Sequence, residues 1–224
     1  RNGRVTQYAY DPLWRLTSET WIGGGNTLQW TYDAVGNVLT ATDAFSSLTM
    51  TYDARDQLLA MDNAGTPEAP HVALTYTYDL VGNRLSLTDT IDGTAGGLNV
   101  YEYDALNRVT RITQSGADVD DKRVDFAYNA LGQYTQLQRF ADLVGTRLVA
   151  RSNYTYDALN RLTGLHHRNT ANVDLAFFDY EYDAQSRLTR ITDIDGVTDY
   201  AYDDRDQLTG ADHTAAGLPD ETYT

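Results

Sequence analysis

The sequence predicts an all-β fold: an antiparallel meander of about nine two-stranded repeats, curling into a spiral or shell-like wall. Three observations carry that expectation. A leading tyrosine recurs at positions 10, 32, 52, 78, 103, 128, 156, 182 and 202 of the 224, in steps of 20 to 28 residues. Bulky and small side chains alternate just ahead of each one. Turn-forming residues follow it at fixed places, most plainly in Tyr156-Asp157-Ala158-Leu159-Asn160-Arg161-Leu162-Thr163. Periods of this size mark repeat architectures, in which one unit cannot bury its apolar side alone.

The first strand of each unit is read from the residues before the tyrosine. Two places earlier stand Tyr8, Trp30, Met50, Tyr76, Tyr101, Phe126, Tyr154, Tyr180 and Tyr200. Between the two bulky groups lies Ala, Thr or Glu, as in Ala9, Thr155 and Glu181. Such alternation gives a strand two unlike faces, whereas a helix would send the two rings to different sides.

The turn comes next. Tyr10, Tyr32, Tyr52, Tyr78, Tyr103, Tyr156, Tyr182 and Tyr202 are followed by Asp11, Asp33, Asp53, Asp79, Asp104, Asp157, Asp183 and Asp203; Tyr128 is followed by Asn129. Four places after the tyrosine stand Gly36, Gly82, Gly132, Asn107, Asn160, Asp56 or Asp206, with Trp14 and Ser186 as exceptions. An Asp or Asn bonding forward to the backbone, then a residue tolerant of positive φ, makes a tight turn.

The second strand opens with an apolar residue six places after the tyrosine: Leu16, Val38, Leu58, Val109, Tyr134, Leu162, Leu188 or Leu208. Arg84 breaks the pattern, and Leu85 is expected to take over by a one-residue offset. Within that strand the apolar places lie three apart, as in Leu188 and Ile191. A period of two forbids this, so either a bulge sits there or the first apolar residue belongs to the turn. A variable connection closes the unit: short at Asp195-Gly196, longer at residues 62–67 and 92–97. About 18 strands at roughly 4.8 Å each would span on the order of 85 Å, and sheets beyond about ten strands curl. Constant turns would then line one rim and variable loops the other.

Composition narrows the function. Thirty-two acidic against 17 basic residues leave a formal charge of −15, which opposes nucleic acid and anionic membranes as partners. There is no cysteine, hence no disulfide scaffold, thiol catalysis or thiolate metal site. No apolar run is long enough for a membrane-spanning helix.

No catalytic, cofactor-binding or metal-binding residue is assigned. Nine equivalent Tyr-Asp pairs do not make a unique acid/base site, and neighbours on a strand point to opposite faces. The acids at 120–121, 193–195 and 203–206 lack calcium-loop spacing and read as turn residues. His166 and His167 would face opposite ways, and only His71 and His213 complete the histidines. Gly23-Gly24-Gly25-Asn26 has no phosphate-loop lysine and fits a hairpin loop. Asn153-Tyr154-Thr155 is a formal glycosylation sequon read as accidental.

The phrase Tyr-Asp-x-x-Gly/Asn-Arg/Asn-Leu, recurring along the whole chain, resembles the YD repeats of the RHS (rearrangement hot spot) family. The resemblance implies a β-ribbon spiralling into a hollow shell, as in bacterial polymorphic toxins, the cocoon proteins of insecticidal toxin complexes, and animal teneurins. It implies a structural, non-enzymatic segment whose partners are the other repeats of the parent shell and an enclosed toxin-like domain. It implies a secreted or cell-surface parent, bacterial in preference to animal. Glycan or cell-wall binding and teneurin-like adhesion are the alternative readings. Residues 1–224 read as one array cut within a repeat at both ends: Arg1 to Thr6 as the tail of an earlier copy, Thr222-Tyr223-Thr224 as the counterpart of Thr75-Tyr76-Thr77. The family's core motif, of the Asp-Pro-x-Gly-Leu kind, has no counterpart, since Leu13-Trp14 follows Asp11-Pro12. Autoproteolysis and toxicity are therefore not carried over. Free strand edges make edge-to-edge self-association a further expectation, and burial of Tyr156 would make Tyr156→Ala cost roughly 3 kcal/mol or more.

Overall fold

A computed structural model describes residues 5–117, 119–214 and 220–223. It divides into two compact units, Arg1–Asp121 and Lys122–Thr224. The first unit holds ten strands: β1 (Val5–Tyr10), β2 (Leu16–Ile22), β3 (Thr27–Tyr32), β4 (Val38–Thr42), β5 (Ser47–Tyr52), β6 (Leu58–Asp62), β7 (Val72–Tyr78), β8 (Arg84–Ile91), β9 (Thr94–Tyr103) and β10 (Val109–Gly116). The second holds nine: β11 (Lys122–Tyr128), β12 (Tyr134–Phe140), β13 (Leu148–Tyr156), β14 (Leu162–Asn169), β15 (Asp174–Tyr182), β16 (Leu188–Asp193), β17 (Val197–Tyr202), β18 (Leu208–His213) and the short β19 (Glu221–Thr222). Within each unit every strand pairs antiparallel with the next in sequence, and no helix occurs among the described residues. No helix there is long and apolar enough to cross a membrane.

Each odd strand from β1 to β17 ends on a leading tyrosine, and each even strand begins six residues after it. The ladder then slips by one residue: Thr155 pairs with Gly164 while Tyr156 pairs with Leu162. The same slip occurs in all nine hairpins. It is a β-bulge, one extra residue on the second strand, and it accounts for the apolar spacing of three. Leu162 faces Tyr156 and Leu165 faces Tyr154, so the bulge returns both leucines to the aromatic face. Hydroxyls and charges occupy the other face, where Thr31 meets Thr40 at 2.6 Å and Arg111 meets Glu102 at 3.0 Å.

Arg84 follows the same rule. It pairs with Tyr78 where other copies have a leucine, and Leu85 stays 38% exposed. The expected one-residue offset does not occur, because the guanidinium itself packs 4.6 Å from the Tyr101 ring centre and donates to its hydroxyl. The connection at 92–97 is also shorter than expected. Asp92-Gly93 alone makes the turn, both at positive φ, and Thr94 already pairs with Ile91.

Joining one repeat to the next obeys a second rule. The residue eight places after a leading tyrosine pairs with the residue three places before the following one. In the first unit these pairs are Ser18 with Gln29, Thr40 with Thr49, Ala60 with Thr75 and Ser86 with Val100. In the second they are Gln136 with Asn153, Gly164 with Asp179 and Arg190 with Asp199. Variable loops therefore absorb all the length variation while the register stays constant. Gly210, eight places after Tyr202, pairs with Thr222. Val5 and Thr6 lie in β1, opposite Ile22 and Trp21, rather than in a separate earlier strand; residues 1–4 lie outside the described residues.

Among the described residues neither unit folds a second layer of its own over its aromatic face. Among the described residues Ala211 is the one buried hydrophobic, and Asn26 and Ser152 the two buried polar residues. The accessible area of 14431 Å² compares with roughly 10,000 Å² for a globular monomer of this mass. The rings are half-buried by their neighbours in the sheet.

Candidate functional site

The constant turn is built the same way nine times. In the seventh copy the Asp157 carboxylate accepts from the Leu159 and Arg161 backbone N–H groups at 2.9 Å each, and from Arg161 Nε at 2.6 Å. Two backbone bonds close the loop, Asp157 N–H to Arg161 O and Asn160 N–H to Asp157 O, both 3.0 Å. Asp11, Asp33, Asp53, Asp79, Asp104, Asp183 and Asp203 hold their turns alike, and Asn129 does so with its amide oxygen. Gly36, Gly82, Gly132, Asn107, Asn160, Asp56 and Asp206 all adopt positive φ. So do the two exceptions, Trp14 at 62° and Ser186 at 67°. The bond set of the turn dictates that conformation whatever side chain is present.

These bonds set the electrostatics. Asp11, Asp53 and Asp157 are held below the ordinary 3.8, chiefly by the N–H of Arg15, Gln57 and Arg161 respectively. The Arg108 side chain does most of this for Asp104. At Asp33, Asp79 and Asp183 desolvation pushes upward, and the side-chain and backbone bonds from Asn37, Asn83 and Arg187 outweigh it. Burial raises the Tyr52, Tyr78, Tyr103 and Tyr156 phenols.

At six junctions a clamp then ties one repeat to the next. The hydroxyls of Tyr32, Tyr52, Tyr78, Tyr103, Tyr182 and Tyr202 donate to the carbonyls of Leu16, Val38, Leu58, Arg84, Leu162 and Leu188, at 2.7 to 3.0 Å. Each acceptor is the first residue of the preceding repeat's second strand. The residue just before it reaches across as well. Arg15, Arg161 and Arg187 lie 4.6 to 4.9 Å from the ring centres of Tyr32, Tyr182 and Tyr202, within cation–π range. The same guanidiniums donate to Asp33 O, Asp183 O and Asp203 O. Asn37, Asn83 and Gln133 make shorter bridges to Asp56, Asn107 and Asn160. Sequence reasoning found the tyrosine and the aspartate but gave no role to these fifth-place residues. Their signal was present: each of the nine is Arg, Asn or Gln, that is, a side-chain donor.

The remaining polar groups form no common centre. His71 meets Asp62, His166 lies between Asp174 and Asp179, His167 meets Ser152, and His213 meets Thr198. Ser152 is fully buried and also accepts from Arg139, so no substrate reaches its hydroxyl. Asp193 caps its own loop through the Asp195 and Gly196 N–H groups. No group of three metal-ligating side chains converges among the described residues.

Residues 32–68 and 180–218 match the family described as RHS Repeat. No curated protein matches the sequence. Among solved structures, the chain is similar to one in the crystal structure of TcdB2-TccC3-Cdc42, at 15% identity over 97% of this chain with a TM-score of 0.66. It is equally similar to one in TcdB2-TccC3, at 14% identity, 97% coverage and a TM-score of 0.67. It spans only 12% and 13% of those chains. Two separate stretches thus carry the likeness to the RHS Repeat family, and the fold is shared with these structures.

Proposed function

We propose that this chain is a length of wall in an RHS-type β-shell whose parent protein encloses or displays another domain, a toxin-like one. The observation that carries the reading is the constant register across seven junctions, with tyrosine hydroxyls and guanidiniums joining neighbouring repeats. Such an array builds a surface rather than a pocket. The open aromatic face supports it too, because half-buried rings on an uncovered sheet suit a wall with an interior. The reading includes a non-enzymatic role for the segment and a secreted or cell-surface parent of bacterial type. The likeness to TcdB2-TccC3 supports the architecture.

The test is protease protection in the full parent protein. The domain beyond the repeats should resist digestion while the wall is intact, and become sensitive when Tyr32, Tyr78, Tyr182 and Tyr202 are replaced together by Ala. Equal sensitivity before and after would overturn enclosure. Selective binding of the isolated chain to a glycan array would favour a surface-binding module instead.

A further inference from the structure

We infer that Arg139 and His167 form a binding site for one oxyanion, a carboxylate or a phosphate, with Ser152 as the residue that positions them. The inference goes beyond the wall reading and does not depend on it. Leu137 of β12, Ser152 of β13 and His167 of β14 lie opposite one another across three adjacent strands. Arg139, two places along from Leu137, shares their face. Ser152 is a departure at its place. Four residues before the leading tyrosine, other repeats carry Leu28, Leu48, Leu74, Val124 or Phe178. Here a hydroxyl stands instead, fully buried, 2.7 Å from His167 Nδ1 and accepting from Arg139 Nη1 at 3.1 Å.

Counting hydrogens fixes the tautomer. A serine hydroxyl has one hydrogen, and a guanidinium can only donate. Were the imidazole hydrogen on Nδ1, the buried Ser152 hydrogen would have no acceptor, and buried polar groups are almost always paired. The hydroxyl therefore donates to Nδ1, and the imidazole hydrogen sits on Nε2. Among the described residues nothing accepts from Nε2–H, and no carboxylate pairs with Arg139. In the same unit Arg123, Arg161, Arg168, Arg187 and Arg190 each hold an Asp. Ala150 opposite Arg139 and Ala176 opposite His167 are small, which leaves room for an oxyanion beside both donors. The formal charge of −15 does not decide against it, because acids beyond about 8 Å are largely screened at physiological salt. The ninth repeat supplies the contrast. Thr198 meets His213 Nδ1 at 3.0 Å, but the place of Arg139 in the repeat before it is taken by Asp193, which repels an anion.

The experiment titrates the full chain, labelled at its histidine and arginine nitrogens, with acetate and with inorganic phosphate at fixed pH and ionic strength. Saturable shifts are expected at the His167 imidazole and the Arg139 guanidinium, half-complete at an anion concentration on the order of millimolar. His213 should not respond. The tighter of the two anions names the source: an acidic side chain or chain end if acetate, a phosphoryl group if phosphate. Arg139→Gln, at an exposed position, should weaken binding about tenfold or more through loss of the charged donor. Ser152→Ala should weaken it as well and abolish the Nε2–H signature of the imidazole nitrogens. Ser152→Thr, the arrangement that Thr198 already makes with His213, should restore both. Equal shifts with chloride, shifts that do not saturate, an equal response at His213, or undiminished binding by Arg139→Gln would overturn the inference.

Discussion

Tyr182 offers the most direct energetic probe of the clamp. Its hydroxyl donates to Leu162 O at 2.8 Å, its ring lies 4.6 Å from the Arg161 guanidinium, and its backbone pairs with Leu188 at the bulge. Tyr182→Phe removes the hydrogen bond and keeps the ring, which should cost about 1 kcal/mol. Tyr182→Ala also removes a half-buried ring, so roughly 2 to 3 kcal/mol is expected, below the range for full burial. The cycle of Tyr182→Ala with Arg161→Ala isolates the contact between them, expected near 0.5 to 1 kcal/mol. Urea unfolding followed by circular dichroism gives the totals. Amide exchange over β14–β16 shows whether the loss is local, as a quasi-one-dimensional array requires. A Phe variant within about 0.3 kcal/mol of the parent, together with zero coupling in the cycle, would refute the clamp.

Three further outcomes follow from the turn. Trp14 is 84% exposed at φ 62°, so Trp14→Gly should raise stability by about 0.5 to 1 kcal/mol through relief of left-handed strain, net of the added chain entropy; a lower urea midpoint would contradict this. The turn carboxylates have folded pKa values below 3.8, so the fold favours their ionised form. Their contribution is complete above that value and lost as pH falls through the lowered ones, and a urea midpoint unchanged from about pH 5 to pH 2 would count against it. Tyr52, Tyr78 and Tyr103 titrate above the ordinary 10.0, so their neutral form is favoured and that contribution disappears as pH rises through the raised values; phenolate absorbance coincident with unfolding is expected, and normal titration in a folded chain would contradict it.

Much of this fold was legible because each repeat states its own pattern. The aromatic pair fixed the first strand, and Asp with a positive-φ residue fixed the turn. What the sequence left open was decided by bonds between repeats. Apolar spacing of three, as in Leu162 and Leu165, could not choose between bulge and turn, since only the opposite strand reveals the slip. Arg84 misled because side-chain type was weighed above register, whereas the arginine stem and guanidinium fill the leucine's place. Trp14 and Ser186 misled in the same way, because turn bonding outweighs local φ preference. Full burial of Tyr156 was one condition of a large Ala penalty, and in a single-layer sheet that ring is half-buried. Least visible was the clamp, whose partners Arg161 and Tyr182 stand 21 residues apart across a variable loop.

Disulfide trapping tests the constant register most directly, because the chain has no cysteine of its own. Thr40 and Thr49 pair across a 20-residue repeat step, Gln136 and Asn153 across a 28-residue step. Directly opposed residues in antiparallel strands have Cα atoms about 4.5 to 5.5 Å apart, inside the disulfide range. Both double-cysteine variants, Thr40→Cys with Thr49→Cys and Gln136→Cys with Asn153→Cys, should close readily on oxidation. The offset pair Thr40→Cys with Thr51→Cys should not. Equal closure of matched and offset pairs, or closure at the short step but not at the long one, would contradict a wall built on one register.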